Sequence, residues 1–111
     1  FCQMILNKGE FNGQRVLKPE TVDTMIHINR LPENNAGGEG FQFGIGFKLF
    51  YNPVSKMIPE MSNSCLSWGG AMGTEYLMDP ENGLVILYYI NIWGATNTYN
   101  DFLKGVYGLF N

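Results

Sequence analysis

Two adjacent glycines, Gly69 and Gly70, interrupt a stretch of the sequence that otherwise has the character of an apolar β-strand. Glycine in a strand gives up side-chain packing and costs backbone entropy, so such a pair usually marks a place where a ligand or another backbone comes very close. Trp68, directly before the pair, offers an indole N–H and a large apolar surface but no positive charge. We therefore predict that Trp68, Gly69 and Gly70 form one wall of a substrate-binding site. A β-bulge is the alternative explanation of the glycines, and a core tryptophan that of Trp68.

The residues after this triplet support the prediction of a site. The sequence continues Ala71-Met-Gly-Thr and reaches Asp-Pro at residues 79–80. In this order it resembles the third conserved block of the superfamily of serine β-lactamases, penicillin-binding proteins and family VIII esterases, where a Lys-Thr-Gly, His-x-Gly or Trp-Gly-Gly triplet lies on the sheet edge that lines the active site. The resemblance implies a catalytic role for the main-chain N–H of Ala71 as an oxyanion-hole donor. Because Trp68 replaces the lysine or histidine, it also implies a small ester or amide substrate rather than a β-lactam held by its carboxylate.

About nine tenths of the chain resembles the C-terminal part of that superfamily, but the nucleophile motif Ser-x-x-Lys lies upstream of this part. No serine here is followed three residues later by a lysine, and we interpret the Tyr-x-Asn at residues 89–91 as a chance match because it follows the third block and ends an apolar strand. Acyl transfer needs an activated nucleophile with a base in hydrogen-bond reach. We therefore predict that residues 1–111 are a single partial domain, the C-terminal fragment of a β-lactamase-like serine hydrolase. The fragment is expected to be inactive alone and to pair with the missing N-terminal part.

Two other functions fit the same residues. The chain could be a non-catalytic binding or regulatory module that keeps the groove of a β-lactamase-like scaffold without its chemistry. It could also be a free-standing small α+β interaction domain, which is favoured only if the gene begins at Phe1. A Ser-x-x-Lys motif upstream would favour the enzyme over both.

Composition excludes several classes of partner. Only 15% of the residues are charged and the net charge is −3, so the basic surface that nucleic acids require is absent. The longest apolar run is residues 84–90, well short of the roughly 20 residues that span a bilayer. Cys2 and Cys65 are more readily explained as unpaired apolar thiols than as a disulfide, and neither has a histidine at metal-ligand spacing. We expect no metal and no cofactor, and the resemblance implies a periplasmic or secreted protein.

The hydrophobic periodicity predicts an α+β fold with an antiparallel sheet of three to four strands flanked by helices. Helices are expected over residues 1–8, from Pro19 onward and from residue 97 or 98 to the C-terminus, with residues 31–40 as a loop. The alternation of residues 41–49 predicts one long strand. Further strands are expected at 66–70, 74–79 and 84–91. The last helix should turn towards the sheet the side chains Tyr99, Phe102, Leu103, Val106, Tyr107 and Phe110.

Two residues that could do chemistry are better explained by structure. His27, the only histidine, lies at the predicted end of the second helix, where a surface role is expected. Asp79 precedes a proline in a turn, where a carboxylate typically caps backbone donors. The sheet of an incomplete domain exposes an apolar face and edge, so the chain is also a candidate homo-oligomer.

Overall fold

A computed structural model describes residues 1–27, 41–50, 57–93 and 98–110 of the chain. The predicted loop at 31–40 and the residue expected to cap the last helix, at 97, lie outside this part. The α+β class is confirmed. The helices are α1 (Cys2–Leu6), α2 (Pro19–His27) and α3 (Thr98–Gly108), and the strands are β1 (Glu10–Phe11), β2 (Gln14–Arg15), β3 (Phe41–Phe43), β4 (Lys48–Phe50), β5 (Leu66–Gly69), β6 (Glu75–Asp79) and β7 (Leu84–Tyr88).

The main sheet has five antiparallel strands in the order β3-β4-β5-β6-β7, one more than the predicted upper limit. Each strand pairs with its neighbour in the sequence, so the sheet is a simple meander. A separate two-stranded sheet joins β1 to β2. Its connection is Asn12-Gly13, and both residues have positive φ, 50° and 75°, as a two-residue type I′ turn requires.

The prediction of one long strand over residues 41–49 is wrong. The segment contributes two strands, β3 and β4, and this gives the sheet its fifth strand. This segment is a hairpin, in which the N–H of Gly44 donates to the carbonyl oxygen of Phe47 at 3.0 Å. Gly46 has a φ of +101°, a left-handed conformation that a residue with a side chain rarely adopts. Gly44 lies so close to α2 that a Cβ there would overlap the carbonyl oxygen of Met25. The aromatic alternation was real, but the Gly-x-Gly within it sets a turn.

Two hydrophobic layers lie on the two faces of the sheet. Because side chains alternate along a strand, Leu77 packs on one face and Met78 on the other. Helices α1 and α2 cover the face that contains the buried residues Ile5, Val22, Phe47, Leu49, Leu66 and Met78. Helix α3 covers the opposite face, whose buried residues are Phe50, Ile58, Met61, Cys65, Leu77, Ile86, Leu103 and Tyr107.

The predicted inner face of α3 is largely confirmed. Leu103 and Tyr107 are buried, and Tyr99 packs against the same cluster. Phe102 packs its ring on Tyr88 of β7, with centroids 5.0 Å apart. Phe110 is exposed, contrary to prediction, because the helix ends before it and it no longer follows the helical spacing.

Both cysteines are unpaired, as expected: Cys2 is half-buried and Cys65 is buried. Burial raises the pKa of the Cys65 thiol to about 12, so it behaves as a small apolar side chain. Among the described residues, none of the helices has the length and apolar character needed to cross a membrane.

Candidate active site

Strand β5 is paired along its whole length on one side only. On the β6 side, its residues from Leu66 to Gly69 all have partners. On the β4 side, pairing stops at Ser67, opposite Lys48. Within the described ranges, the outer edge of the sheet at Trp68 and Gly69 is therefore open.

The hydrogen-bond pattern shows which backbone groups face this open edge. In an antiparallel ladder, alternate residues of a strand direct their N–H and C=O to the same neighbour. The N–H of Phe50 donates to the carbonyl oxygen of Cys65 at 2.9 Å, whereas the N–H of Gly70 donates to that of Thr74 at 2.8 Å. The odd-numbered residues of β5 thus direct their backbone N–H and C=O groups towards β4, and the even-numbered residues direct theirs towards β6. Gly69 directs its N–H and C=O to the open edge.

A tight turn places Ala71 at the end of the same edge. The N–H of Gly73 donates to the carbonyl oxygen of Gly70 at 3.0 Å, which closes a β-turn with Ala71 at its second position. Gly73 follows with a φ of +83°. The side chain of Ala71 is exposed, and no group in the described part of the chain accepts a hydrogen bond from its N–H.

Trp68 stands on the face opposite Ser67 and is 44% exposed. Its indole meets the ring of Phe43 edge-on, with centroids 4.9 Å apart and planes at 75°. It lines a cavity of about 260 Å³ together with Gly69, Gly70, Thr74, Tyr76 and Tyr89. It is therefore an accessible aromatic wall beside the glycines rather than a core residue.

A second cavity, of about 230 Å³, lies on the other side of the same strand segment. It is lined by Lys48, Ser67, Trp68, Gly69, Gly70 and Glu75. Glu75 lies opposite Gly69 in the β5–β6 ladder, and a Cβ on Gly69 would overlap its carboxylate oxygens. Burial raises the pKa of Glu75, and the charge of Lys48 acts against this shift.

Sequence reasoning missed Glu75. A charged residue inside an otherwise apolar strand, directly after the glycine block, was the available signal. That the carboxylate lies on a glycine depends on strand register, which the sequence pattern does not give. The four predicted site residues, in contrast, do lie together along one edge and its turn.

Asp79 and His27 have the structural roles expected of them. Asp79 is fully buried and accepts hydrogen bonds from the Ser62 N–H at 3.1 Å, the Tyr107 hydroxyl at 2.5 Å, and the Asn82 N–H and side-chain amide at 3.2 and 2.9 Å. Burial alone would raise the pKa of Asp79, but these bonds outweigh it and lower the pKa to about 2.

His27 is exposed, and its Nδ1 donates to the carbonyl oxygen of Asp23 at 3.0 Å. It borders a different cavity, with Cys65 and Leu66 at the opposite end of β5. The described residues also contain no group of three or more histidine, cysteine or acidic side chains placed to hold a metal ion.

The chain is similar in sequence to two curated proteins and similar in fold to several solved structures. No protein-family model matches the chain. Protein Rv1367c of Mycobacterium tuberculosis is 36% identical over 100 residues, which cover 81% of this chain and 25% of that protein. The chain thus spans about a quarter of the length of the curated relatives that it matches.

Solved structures match the fold over most of the chain. EstCE1, a hydrolase with promiscuous acyltransferase activity, is 22% identical and covers 83% of this chain and 23% of its own, with a TM-score of 0.66. Simvastatin synthase (LovD) of Aspergillus terreus is 18% identical. The match covers 98% of this chain and 33% of that protein, with a TM-score of 0.68. A Bacillus anthracis protein named as a 6-aminohexanoate-dimer hydrolase is also 18% identical. That match covers 99% of this chain and 26% of the hydrolase, with a TM-score of 0.65. The chain has the fold of the C-terminal part of the β-lactamase-like serine hydrolases.

Proposed function

We propose that the chain is the C-terminal segment of a serine hydrolase that cleaves a small ester or amide through an acyl-serine, and that residues 68–71 form one wall of its acyl site. The observation that carries the proposal is the open edge of β5. Gly69 there offers an N–H and a C=O that the described chain does not use, and the N–H of Ala71 follows at the end of the edge.

The chemistry of this edge is to bind and to stabilise charge. A substrate lying along Gly69 would pair with its backbone as an additional strand does. Its carbonyl oxygen would then reach the N–H of Ala71, which could stabilise the negative charge that develops during acyl transfer. Such a donor is effective only when it is held in place beforehand, and the hydrogen bonds of Gly70 to Gly73 and Thr74 fix the turn on both sides of Ala71.

Trp68 supplies an apolar surface next to this edge. An indole cannot pair with a substrate carboxylate as a lysine would, so this wall gives no preference for an anionic acyl group. Because such a wall contributes binding energy in both ground state and transition state, its effect falls mainly on KM.

The nucleophile, its base and a second oxyanion donor would come from the missing N-terminal part of the chain, which is therefore the first partner. The outer edge of β7 supports this partnership, because among the described residues no strand pairs with it and Leu87 and Tyr89 are exposed there. In the isolated chain the same surface would be available to a second copy.

Substitution of Ala71 by proline in the full-length protein tests this function directly. Proline removes the N–H, and the second position of a β-turn is where proline is well tolerated. We expect Ala71→Pro to lower kcat by about 10²- to 10³-fold, the usual effect of losing one oxyanion donor. Ala71→Ser, which keeps the N–H, is the matched control. If a folded Ala71→Pro protein hydrolyses a chromogenic ester as fast as Ala71→Ser, the assignment is wrong.

A non-catalytic binding module is the second candidate, because an open strand edge also fits the capture of a peptide by strand addition. Treatment of the full-length protein with a serine-reactive fluorophosphonate separates the two. Covalent labelling of one serine supports the hydrolase. Peptide binding without labelling or turnover supports the module.

A further inference from the structure

Glu75 is a part-buried carboxylate that makes no hydrogen bond or ion pair in the described chain, although the charge of Lys48, which lines the same cavity, acts on it. Within residues 1–27, 41–50, 57–93 and 98–110, it accepts no hydrogen bond and forms no ion pair. Among the described residues, the buried side-chain polar atom without a partner is the Tyr99 hydroxyl oxygen, so the Glu75 oxygens keep contact with solvent. A carboxylate that lines a cavity in this state is suited to receive a donor from a ligand.

Its position relates it to the proposed acyl site. Gly69 and Glu75 are paired across β5 and β6, and the carboxylate lies on Gly69, where a Cβ would overlap it. Gly69 is also the residue that faces the open edge. Only Gly69 therefore lies between the Glu75 carboxylate and the open edge of β5.

A second polar group without a partner lies on the same side of the sheet. The hydroxyl of Tyr99 in α3 is buried and has no hydrogen-bond partner. Burial, and after it the nearby Glu75 carboxylate, raise the pKa of Tyr99, so the hydroxyl stays neutral and can serve as acceptor or donor. Tyr99 does not line the cavity beside Glu75, so there the Glu75 carboxylate alone offers acceptors to a ligand group with N–H donors.

We propose that Glu75 determines substrate specificity at this site by receiving a protonated amine that the substrate carries close to its scissile carbonyl. The inference rests on the function proposed above and adds the charge class of the substrate to it. An ammonium group has three donors and no acceptor, which matches a carboxylate that accepts no hydrogen bond from the described chain. A substrate carboxylate placed against Glu75 would meet its negative charge, which the charge of Lys48 in the same cavity offsets only in part.

The test compares three p-nitrophenyl esters of similar size on the full-length protein: the β-alanine ester with an ammonium group, the neutral butanoate and the anionic hydrogen succinate. We expect kcat/KM to fall in that order. In Glu75→Gln, the ratio of the β-alanine ester to the butanoate should fall about tenfold, as for the loss of one hydrogen bond to a charged group. Glu60→Gln, which removes an exposed charge elsewhere, should keep the wild-type ratio.

The outcomes separate this inference from the function on which it rests. If the esters are hydrolysed and the ratio is the same in Glu75→Gln as in Glu60→Gln, the ammonium proposal is wrong and the hydrolase proposal stands. If the wild type hydrolyses none of them, the hydrolase proposal fails. The charge preference is then decided by NMR titration with n-butylammonium chloride, which should shift the amide signals of Gly69 and Glu75 in the wild type and not in Glu75→Gln. Absence of those shifts would overturn it.

Discussion

Strand β6 has an acidic residue at each end, and the two differ in how far the rest of the chain satisfies them with hydrogen bonds. Asp79 is fully buried, and three residues satisfy it with four hydrogen bonds. Glu75, four residues earlier and on the same face, is partly buried and satisfied by none of the described residues. Asp79 thus stabilises the fold through its hydrogen bonds, whereas Glu75, which lines a cavity, has the role in substrate choice that we propose above.

The contrast extends to the loops at the two ends. The Asp79 end connects the segment before β5, the β6–β7 turn and α3 through Ser62, Asn82 and Tyr107. The Glu75 end has the glycines, an unpaired strand edge and two cavities. We therefore expect substitutions at Asp79 to change stability, and substitutions at Glu75 to change substrate choice.

The largest effect on stability is expected for Asp79→Ala. Removing the carboxylate leaves the Ser62 N–H and the buried Tyr107 hydroxyl without their partner, and each such loss costs about 1–3 kcal/mol. The free energy of unfolding of the full-length protein should fall by about 3–4 kcal/mol, measured by urea denaturation. Glu75→Gln should change it by about 0.5 kcal/mol or less, since no native hydrogen bond is lost. Equal losses at the two positions would refute the contrast.

The two carboxylates should also respond to acid with opposite signs. The pKa of Asp79 is lowered to about 2, so its stabilisation is present above the unfolded-state pKa and is lost as pH falls from about 4 towards 2. The pKa of Glu75 is raised, so protonating it favours the folded state as pH falls towards the ordinary glutamate pKa. Asp79→Asn should remove about 2 kcal/mol of the acid dependence.

Unfolding curves measured at pH 2, 3, 4, 5 and 7 check this prediction. The Asp79→Asn protein should show a flatter dependence below pH 4 than the wild type, and Glu75→Gln a flatter dependence only above it. A wild-type slope below pH 4 that persists in Asp79→Asn would assign acid sensitivity to other groups.

The sequence predicts much of this fold because most of its signals are local. The helical period of α3 and the strand that begins at Leu84 need only neighbouring residues, and the structure confirms both, although the strand ends at Tyr88 rather than at residue 91. The hairpin within residues 41–49 was missed although Gly44 and Gly46 are a local turn signal, because the contact of Gly44 with α2 is not visible in the sequence. That packing is tertiary, and the alternation of apolar residues suggested a continuous strand instead.

The site could be predicted in part for the same reason. The triplet at residues 68–70 and Ala71 are contiguous, so a motif can nominate them, and their role in an acyl site stays a prediction. The open edge was not predictable, because it depends on where β4 stops pairing with β5. The relation of Gly69 to Glu75 was missed because cross-strand register brings together residues that no local pattern connects.

The smallest effect, and the sharpest test of the comparison, concerns why residue 69 is a glycine. The structure gives one reason, contact with the Glu75 carboxylate, and the proposed function gives another, approach of substrate to the edge. Gly69→Ala should lower stability by about 0.5 kcal/mol or less, because the Glu75 carboxylate is the end of a flexible side chain and can move aside. In a Glu75→Ala background the same substitution should cost nothing.

Stability and activity together then separate the two reasons. If the double variant recovers the stability and also the neutral-ester kcat/KM that Gly69→Ala loses, the glycine is there for Glu75 alone. If stability recovers and kcat/KM stays low, the edge itself must be kept clear for substrate as well. Equal stability losses for Gly69→Ala with and without Glu75 would mean that the two side chains are not coupled. The carboxylate would then not rest on this glycine, and its place behind the open edge would have to be given up.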